Sequence, residues 1–171
     1  FDYHIDIGDG TPYKSHALKL KRAAKNAGEF GYLFENLFRL CKVMEFKYDL
    51  GVRTRKAYLD NDREELKNIA NNVYPELIKR LKAFTVGFRK LWHKENKPFG
   101  IELHELRLGG LLLRLESCRE ILVSYLNGEI DKIEELDAPV LPFEQGIEKT
   151  ANFCVQTHIN TVTVASINPN L

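Results

Sequence analysis

The sequence predicts a mainly α protein, a bundle of about four to five helices with a small β element built from its two ends. Three observations support this fold class. Apolar residues recur at steps of three and four over about residues 14–128, turn signals separate these stretches, and both ends alternate with a period of two. A length of 171 residues fits a single domain, with a mixed loop and strand tail over 129–171.

The β prediction rests on the two terminal stretches. Residues 1–7 alternate between apolar and polar side chains, and residues 160–166 alternate between valine and threonine at their centre. Glycines and a proline at 8–12 then break the first stretch. Ser15 is placed to cap a first helix over about 16–26.

A second helix begins near Tyr32, and we expect it to continue toward Tyr58. Its apolar positions are spaced so that they share one face. They are Leu33, Leu37, Leu40, Met44 and Tyr48. Acidic and amide side chains at 60–62 then supply caps for the next helix.

The longest apolar stripe follows, and it predicts a helix that runs to about residue 91. Pro75 lies inside this stripe, where it should kink or split the helix because proline lacks the backbone N–H. A turn at 96–100 precedes a last helix over about 102–127, which Gly128 should end. The inward residues expected on this helix are Leu108, Leu111, Leu112, Leu115, Leu122 and Tyr125.

Composition and charge argue against two classes of partner. Hydrophobic residues make up 44% of the chain, charged residues 29%, and the formal net charge is +1. The basic runs are interleaved with acidic residues three or four positions away, which indicates ion pairs on solvated helix faces and not a nucleic-acid surface. No run of about 18 apolar residues is present, so we expect no membrane-spanning helix.

Cysteines and histidines lack the spacing of a metal site. Cys41, Cys118 and Cys154 are far apart and odd in number, which favours reduced thiols over disulfides. None of the five histidines belongs to an HExxH or HxxxH pattern. We therefore expect no metal ion and no cofactor, and the unpaired thiols favour a cytoplasmic location.

Two further patterns leave alternative functions open. Glu102 and Glu105 are one helical turn apart; we expect a solvated face, but burial of one of them in a cleft would indicate an enzyme that works alone. A carbohydrate-binding module would instead need an exposed aromatic platform. The candidate aromatic residues are Tyr13, Tyr58, Trp92 and Phe99.

Arginines beside glycines give the sharpest signal. A glycine in a helix interior costs about 1 kcal/mol relative to alanine, so two in succession indicate that another backbone approaches closely. One interpretation of the arginines is salt bridging within the domain, for example Glu45 or Asp49 with Arg53. The other is a face that docks onto a second domain. The candidate contact residues are Arg53, Arg55, Arg107, Gly109, Gly110 and Arg114.

The chain resembles the C-terminal helical domain of bacterial glycoside hydrolase family 20 enzymes, and more narrowly their exo-β-N-acetylhexosaminidase branch without a secretion signal. The resemblance covers about residues 30–136. The segments that carry it are LGVRTRKAY at 50–58, FRKLWHKENKPFG at 88–100, RLGGL at 107–111, LNG at 126–128 and IEEL at 133–136.

The resemblance implies that catalysis belongs to a different part of the polypeptide. In that family an upstream (β/α)8 barrel carries an adjacent Asp-Glu pair, in which the Glu is the general acid and the Asp orients the substrate's acetamido nucleophile. This chain has no Asp-Glu dipeptide and is shorter than the roughly 250 residues of such a barrel. No catalytic residue is therefore expected in it, and we expect the chain to be a C-terminal piece of a longer enzyme.

The resemblance also implies a cytoplasmic β-N-acetylhexosaminidase as the parent enzyme. We expect a non-catalytic accessory domain that packs on the upstream barrel or at a homodimer contact, with no nucleic-acid or membrane partner. The alternative is a stand-alone helical module that binds carbohydrate or another protein.

Overall fold

The computed structural model describes residues 6–8 and 10–139. Their fold is mainly α, as predicted, and five helices are ten residues or longer. The helices are α1 (Thr11–Asn26), α2 (Gly31–Lys47), α3 (Leu50–Leu59), α4 (Arg63–Asn68), α5 (Tyr74–Glu95), α6 (Ile101–Asn127) and α7 (Glu134–Asp137). A 3-10 turn at Gly28–Phe30 joins α1 to α2, and a π-helical turn at Ile69–Val73 joins α4 to α5. The described residues form no strand, and most of the predicted β element lies outside them.

Four of the helices stand in a row. Helix α1 packs on α2, α2 packs on α5, and α5 packs on α6, so that α1 and α6 form the two ends of the row. The short helix α4 and the π-helical turn lie against α6, while α3 contacts α4 and α7. This order puts one long side of α6 at the edge of the domain.

The core follows the long apolar stripe of the sequence. Leu77, Leu81 and Phe84 of α5 are buried, as are Leu66 of α4 and Leu122 of α6. Leu77, Leu81 and Phe84 all belong to the long apolar stripe of the sequence. Their burial therefore confirms the predicted inward face of α5. The other buried apolar residues of this core are Val43, Leu50, Ala57, Ile69, Ala70, Val73, Tyr74, Leu115 and Ile133.

Pro75 lies just after a π-helical turn that interrupts the long helix, close to where the sequence predicted a kink or a split. It sits in the first turn of α5, where a proline is tolerated, and the π-helical turn Ile69–Val73 comes directly before it. A π-helix pairs each N–H with the carbonyl five residues earlier, so Pro75 cannot serve the carbonyl of Ala70. Arg119 of α6 serves it instead, since its Nε donates to the Ala70 oxygen at 2.9 Å.

Two predicted helix boundaries are wrong. Helix α1 begins at Thr11 and not near residue 16, because Pro12 suits a first helical turn; the Ser15 hydroxyl donates to the Pro12 carbonyl and caps nothing. Helix α2 ends at Lys47 and does not continue toward residue 58. The chain breaks at Asp49, whose buried carboxylate accepts a hydrogen bond from the Gly8 N–H at 2.8 Å.

The predicted apolar face of α2 is only partly covered. Leu33, Leu37 and Leu40 fall on one side of the helix, and all three are exposed. Helix α2 uses other faces for its neighbours: the Lys21 ammonium lies over the Phe38 ring on the α1 side, and Arg39 donates to the Ala83 carbonyl on the α5 side. The described residues therefore cover this apolar stripe of α2 only in part.

Candidate interdomain surface

The outer side of α6 carries an exposed apolar stripe. Leu106, Gly109, Gly110 and Leu113 are spaced at three and four residues, so they share one side of the helix, and we call them the α6 edge. Leu106 is 58% exposed and Leu113 is 65% exposed. The opposite side of α6 packs into the core through Leu115 and other leucines that the sequence predicted to face inward.

The two glycines of the α6 edge face open space. A Cβ atom built on Gly109 or Gly110 would meet no heavy atom within 4 Å. The close backbone packing that the sequence indicated is therefore not formed within the described residues. Each glycine still costs the helix about 1 kcal/mol relative to alanine, and no internal contact offsets that cost.

Arg107 flanks the α6 edge and is exposed. It has no ion pair or hydrogen-bond partner among residues 6–8 and 10–139. The second arginine of this flank, Arg114, pairs instead with Glu135 of α7, and that hydrogen bond raises the pKa of the Arg114 guanidinium. Only Arg107 of these two arginines is left with its charge uncompensated by a described neighbour.

The two candidate arginines of α3 are engaged inside the domain. Arg53 Nε lies 2.6 Å from Glu65 Oε1 and so ties α3 to α4. Arg55 donates to the Ala138 carbonyl at 2.6 Å. The internal salt bridge considered for Arg53 is thus real, but its partner is Glu65 and not Glu45 or Asp49.

Arg55 and Arg114 both hold the segment 129–139, which we call the C-terminal strap. The strap crosses from the end of α6 to α3, and the side chain of its residue Ile133 is buried. The Ile133 N–H donates to the Tyr58 hydroxyl at 3.1 Å. The strap helps to enclose a cavity of about 50 Å³ lined by Thr54, Tyr74, Cys118, Ile121, Leu122, Ile133, Glu135 and Leu136. Burial in this region raises the pKa of the Tyr74 hydroxyl above its usual value.

The structure also shows a polar cleft that the sequence did not indicate. This N-terminal cleft has a volume of about 520 Å³ and lies between the start of α1, the end of α2 and the starts of α3 and α5. Its lining residues are Gly8, Gly10, Thr11, Lys14, Lys42, Glu45, Phe46, Asp49, Arg53 and Arg80. The helical spacings of Lys42 to Glu45 and of Glu76 to Arg80 are visible in the sequence, but the pairing across helices is not.

Glu45 lines that cleft and pairs with two of its cations. Its side chain is 10% exposed, and its Oε2 accepts hydrogen bonds from Lys42 Nζ at 2.5 Å and from Arg80 Nη1 at 2.6 Å. Burial opposes ionisation of the carboxyl group, but the hydrogen bonds from these two cations outweigh it and lower the pKa of Glu45. The Arg80 guanidinium also lies over the Phe46 ring, 4.2 Å from its centroid.

The two carboxylates that an enzyme working alone would use, Glu102 and Glu105, both have partners within the domain. Glu105 is exposed and lies 2.7 Å from Arg89 Nε, while Glu102 accepts from the Gly100 N–H at the start of α6. Neither carboxylate lies in a buried cleft of the kind that acid–base chemistry requires.

The aromatic candidates are mostly packed against neighbours. Tyr13 contacts Tyr48, and Tyr58 contacts Tyr125. Trp92 lies against Phe88 and His104 and donates its ring N–H to the Lys97 carbonyl. Phe99 is widely exposed, so of the four candidate residues it alone presents an open ring.

The part of the chain that the structure describes shows neither a metal-binding cluster nor a membrane-spanning helix. It holds no group of three or more histidine, cysteine, aspartate or glutamate side chains arranged to bind a metal ion. None of its helices is both long and apolar enough to cross a membrane.

Within residues 6–8 and 10–139, this architecture defines an all-helical domain with an exposed apolar helix edge. The sequence matches the family described as the Glycoside Hydrolase 20C C-terminal domain over residues 1–155, and the chain belongs to that family. The resemblance of the sequence to the C-terminal domain of glycoside hydrolase family 20 is thereby confirmed. A C-terminal domain of this kind implies a catalytic domain in the same polypeptide. No curated protein matches the sequence.

Proposed function

We propose that this chain is the non-catalytic accessory domain of a β-N-acetylhexosaminidase and that it acts by packing on the catalytic domain. In this proposal an upstream (β/α)8 barrel of the same polypeptide hydrolyses terminal N-acetylhexosamine residues. Membership of the C-terminal domain family supports the order of the two domains. The accessory domain contributes stability and position to the barrel and no group that touches substrate.

The exposed α6 edge is the observation that carries this proposal. Two leucines more than half exposed flank two glycines that have open space above them. Bare glycines let a second backbone approach a helix closely, and the leucines on either side would then be covered. A helix surface of this kind gains stability only when another body covers it.

The candidate arginines divide into two roles in this proposal. Arg107 has no described partner, so its guanidinium is free to pair with a carboxylate of the catalytic domain beside the α6 edge. Arg53, Arg55 and Arg114 support the surface indirectly, because they fix α3 and the C-terminal strap beside α6. Gly109 and Gly110 provide the close approach itself.

The substitution Gly110→Leu tests the proposal because its two expected effects have opposite signs. In a domain that docks nowhere, leucine has open space and improves helix propensity by about 1 kcal/mol, so the melting temperature rises. In a docked domain the new side chain holds the two surfaces apart. We expect the full-length protein to show a lower melting temperature and slower hydrolysis of an N-acetyl-β-glucosaminide. A higher melting temperature with unchanged hydrolysis contradicts the docking assignment.

A contact between two copies of the protein is the second candidate for the α6 edge. The order of the helices favours a contact between two copies in one respect. The catalytic domain precedes α1 in the chain, and α6 lies at the opposite end of the row, so the α6 edge is far from the point where the chain enters this domain. Sedimentation of the full-length protein distinguishes the two cases. If Gly110→Leu converts a dimer to a monomer while hydrolysis by the monomer is retained, the edge is a dimer contact and not a surface for the barrel.

The alternative of a stand-alone carbohydrate-binding module receives little support from the described residues. Three of its four candidate aromatic side chains are packed or hydrogen-bonded within the domain. Saccharide binding by stacking needs a ring face open to solvent, and Phe99 by itself supplies only one.

A further inference from the structure

We propose that the C-terminal strap opens and closes as one unit, and that docking of the catalytic domain on the α6 edge holds it closed. This inference rests on the proposed function and adds a conformational consequence to it. The strap is the element that moves. Arg114 connects it to the docking surface, because this residue of α6 borders the edge and pairs with Glu135 of the strap.

The strap is attached to the rest of the domain by few contacts. Of its own side chains only that of Ile133 is buried, and most of the others are exposed. Two hydrogen bonds fix it to α3: Arg55 Nη2 donates to the Ala138 carbonyl at 2.6 Å, and the Ile133 N–H donates to the Tyr58 hydroxyl at 3.1 Å. A segment that buries so little apolar surface can open while the core stays folded.

The strap also contains a stretch about which it can turn. Its start is fixed to the end of α6, where the Glu129 N–H donates to the Ser124 carbonyl at 2.9 Å. Residues 130–132 come next; they are exposed and form no backbone-to-backbone hydrogen bond within the described part of the chain. Rotation in this stretch would lift Ile133 together with helix α7, because the first N–H groups of α7 bond to the Ile133 carbonyl.

The packing beneath the strap is incomplete. Ile133, Glu135 and Leu136 of the strap line the cavity of about 50 Å³, and its other lining residues, which include Tyr74 and Cys118, belong to α3, α5 and α6. Atoms that face a void lack attractive contacts on one side, so lifting the strap loses less than removing a tightly packed element would. An open strap would also uncover the half-buried Cys118, whose thiol then reports the movement chemically.

Arg114 couples the strap to the α6 edge. It follows Gly110 by one helical turn, and both side chains of its pair with Glu135 are more than half exposed. A partner that covers the edge would take this arginine out of water. With the strap closed its charge keeps a counter-charge, but with the strap open it would be buried alone, which is far more costly. Docking therefore favours the closed strap, and by linkage the closed strap favours docking to the same extent.

Alkylation of Cys118 in the full-length protein measures how often the strap opens. After treatment with iodoacetamide, peptide mass spectrometry gives the labelling rate of each cysteine separately. Cys41 of α2 is also half-buried and free, so it serves as the internal control. Glu135→Gln removes the strap's side of the ion pair. We expect it to speed labelling of Cys118 at least about two-fold, which an exposed pair by itself can supply, and to leave labelling of Cys41 unchanged.

A change at the α6 edge tests the coupling itself. Leu106→Gln with Leu113→Gln weakens docking and leaves every residue of the strap in place. If docking holds the strap closed, labelling of Cys118 should become at least about five-fold faster, the lower end of typical coupling between two sites. Leu59→Gln is the matched control, because Leu59 is as exposed as Leu106, lies outside the edge and belongs to α3, which the strap contacts. The control should be labelled at the wild-type rate.

The outcomes separate this inference from the proposed function. If the double variant melts earlier than Leu59→Gln but its Cys118 is labelled no faster, the coupling is overturned and the docking stands. If the double variant neither melts earlier nor is labelled faster, both fail. Unchanged labelling of Cys118 in Glu135→Gln would show that the pair does not hold the strap and would overturn the inference. Faster labelling of Cys118 and Cys41 alike would overturn it too, because the whole domain would then be loosened.

Discussion

Replacing the two leucines of the α6 edge by glutamine should separate a docked domain from a free one. Glutamine forms helix about as well as leucine, so Leu106→Gln with Leu113→Gln leaves the intrinsic stability of α6 almost unchanged. Both side chains are more than half exposed in the described structure. The substitution therefore changes little unless a second surface covers them.

The expected magnitude follows from the exposed fractions. Burying a whole leucine side chain is worth about 2 kcal/mol, and docking would cover at most the exposed 58% of Leu106 and 65% of Leu113. Loss of both contributions amounts to about 2.5 kcal/mol, or about 60-fold in the docking equilibrium. For a domain of this size the melting temperature should fall by about 5–10 °C.

Thermal unfolding and hydrolysis by the full-length protein provide the assay. Leu59→Gln is the matched control, because Leu59 at the end of α3 is also 58% exposed and is not part of the α6 edge. We expect the control to melt with wild type and the double variant to melt earlier. If the double variant melts within a degree of the control and hydrolyses substrate at the same rate, the α6 edge is not covered and the docking assignment is wrong.

Three further predictions concern the domain itself. Leu77→Ala, at a fully buried site in α5, should destabilise the fold by about 2–5 kcal/mol in urea unfolding; a loss below 1 kcal/mol would show that the site is not core. Tyr58→Phe removes the acceptor of the Ile133 N–H and should cost about 1 kcal/mol, seen as faster hydrogen exchange in the C-terminal strap; unchanged exchange would contradict the role of this bond. Because the folded state lowers the pKa of Glu45, its stabilising contribution is present above the usual value of 4.5 and is lost as the pH falls below it. The urea midpoint should therefore drop less on acidification in Glu45→Gln than in wild type, and parallel curves would refute this.

The long helices were predictable because their signals are local. The last helix was expected over about 102–127 and is observed at Ile101–Asn127, with Gly128 in the left-handed conformation that suits its C-terminal cap. Asp62 accepts from the Glu65 N–H and caps α4, as the acidic residues at 60–62 indicated. In each case the residues that decide the boundary lie within one turn of it.

The break at Asp49 was not predictable in the same way. The carboxylate of Asp49 accepts a hydrogen bond from Gly8, which is 41 residues away in the sequence, so its partner is not a local one. The partners of the arginines were missed for the same reason, because Arg55 and Arg114 reach the C-terminal strap across the fold. Periodicity shows which face of a helix is apolar, but it does not show which distant segment will cover a given polar group.

The candidate surface was only half visible in the sequence. The glycine pair and the neighbouring arginines indicated close approach to something, but local pattern does not distinguish a neighbour inside the domain from one outside it. The open space above Gly109 and Gly110 answers that question for the described residues. Of the four candidate arginines, Arg107 is the one that has no hydrogen-bond or ion-pair partner among the described residues.

The bond between Arg119 and the Ala70 carbonyl has a consequence for how this domain varies among its relatives. Pro75 creates the need for an outside donor, since it removes the N–H that would otherwise serve that carbonyl. Arg119 has no such task wherever residue 75 can donate. The two positions should therefore be inherited as a pair: a relative that replaces the proline is released to vary at the arginine, whereas one that keeps the proline must keep a side chain long enough to reach across from α6.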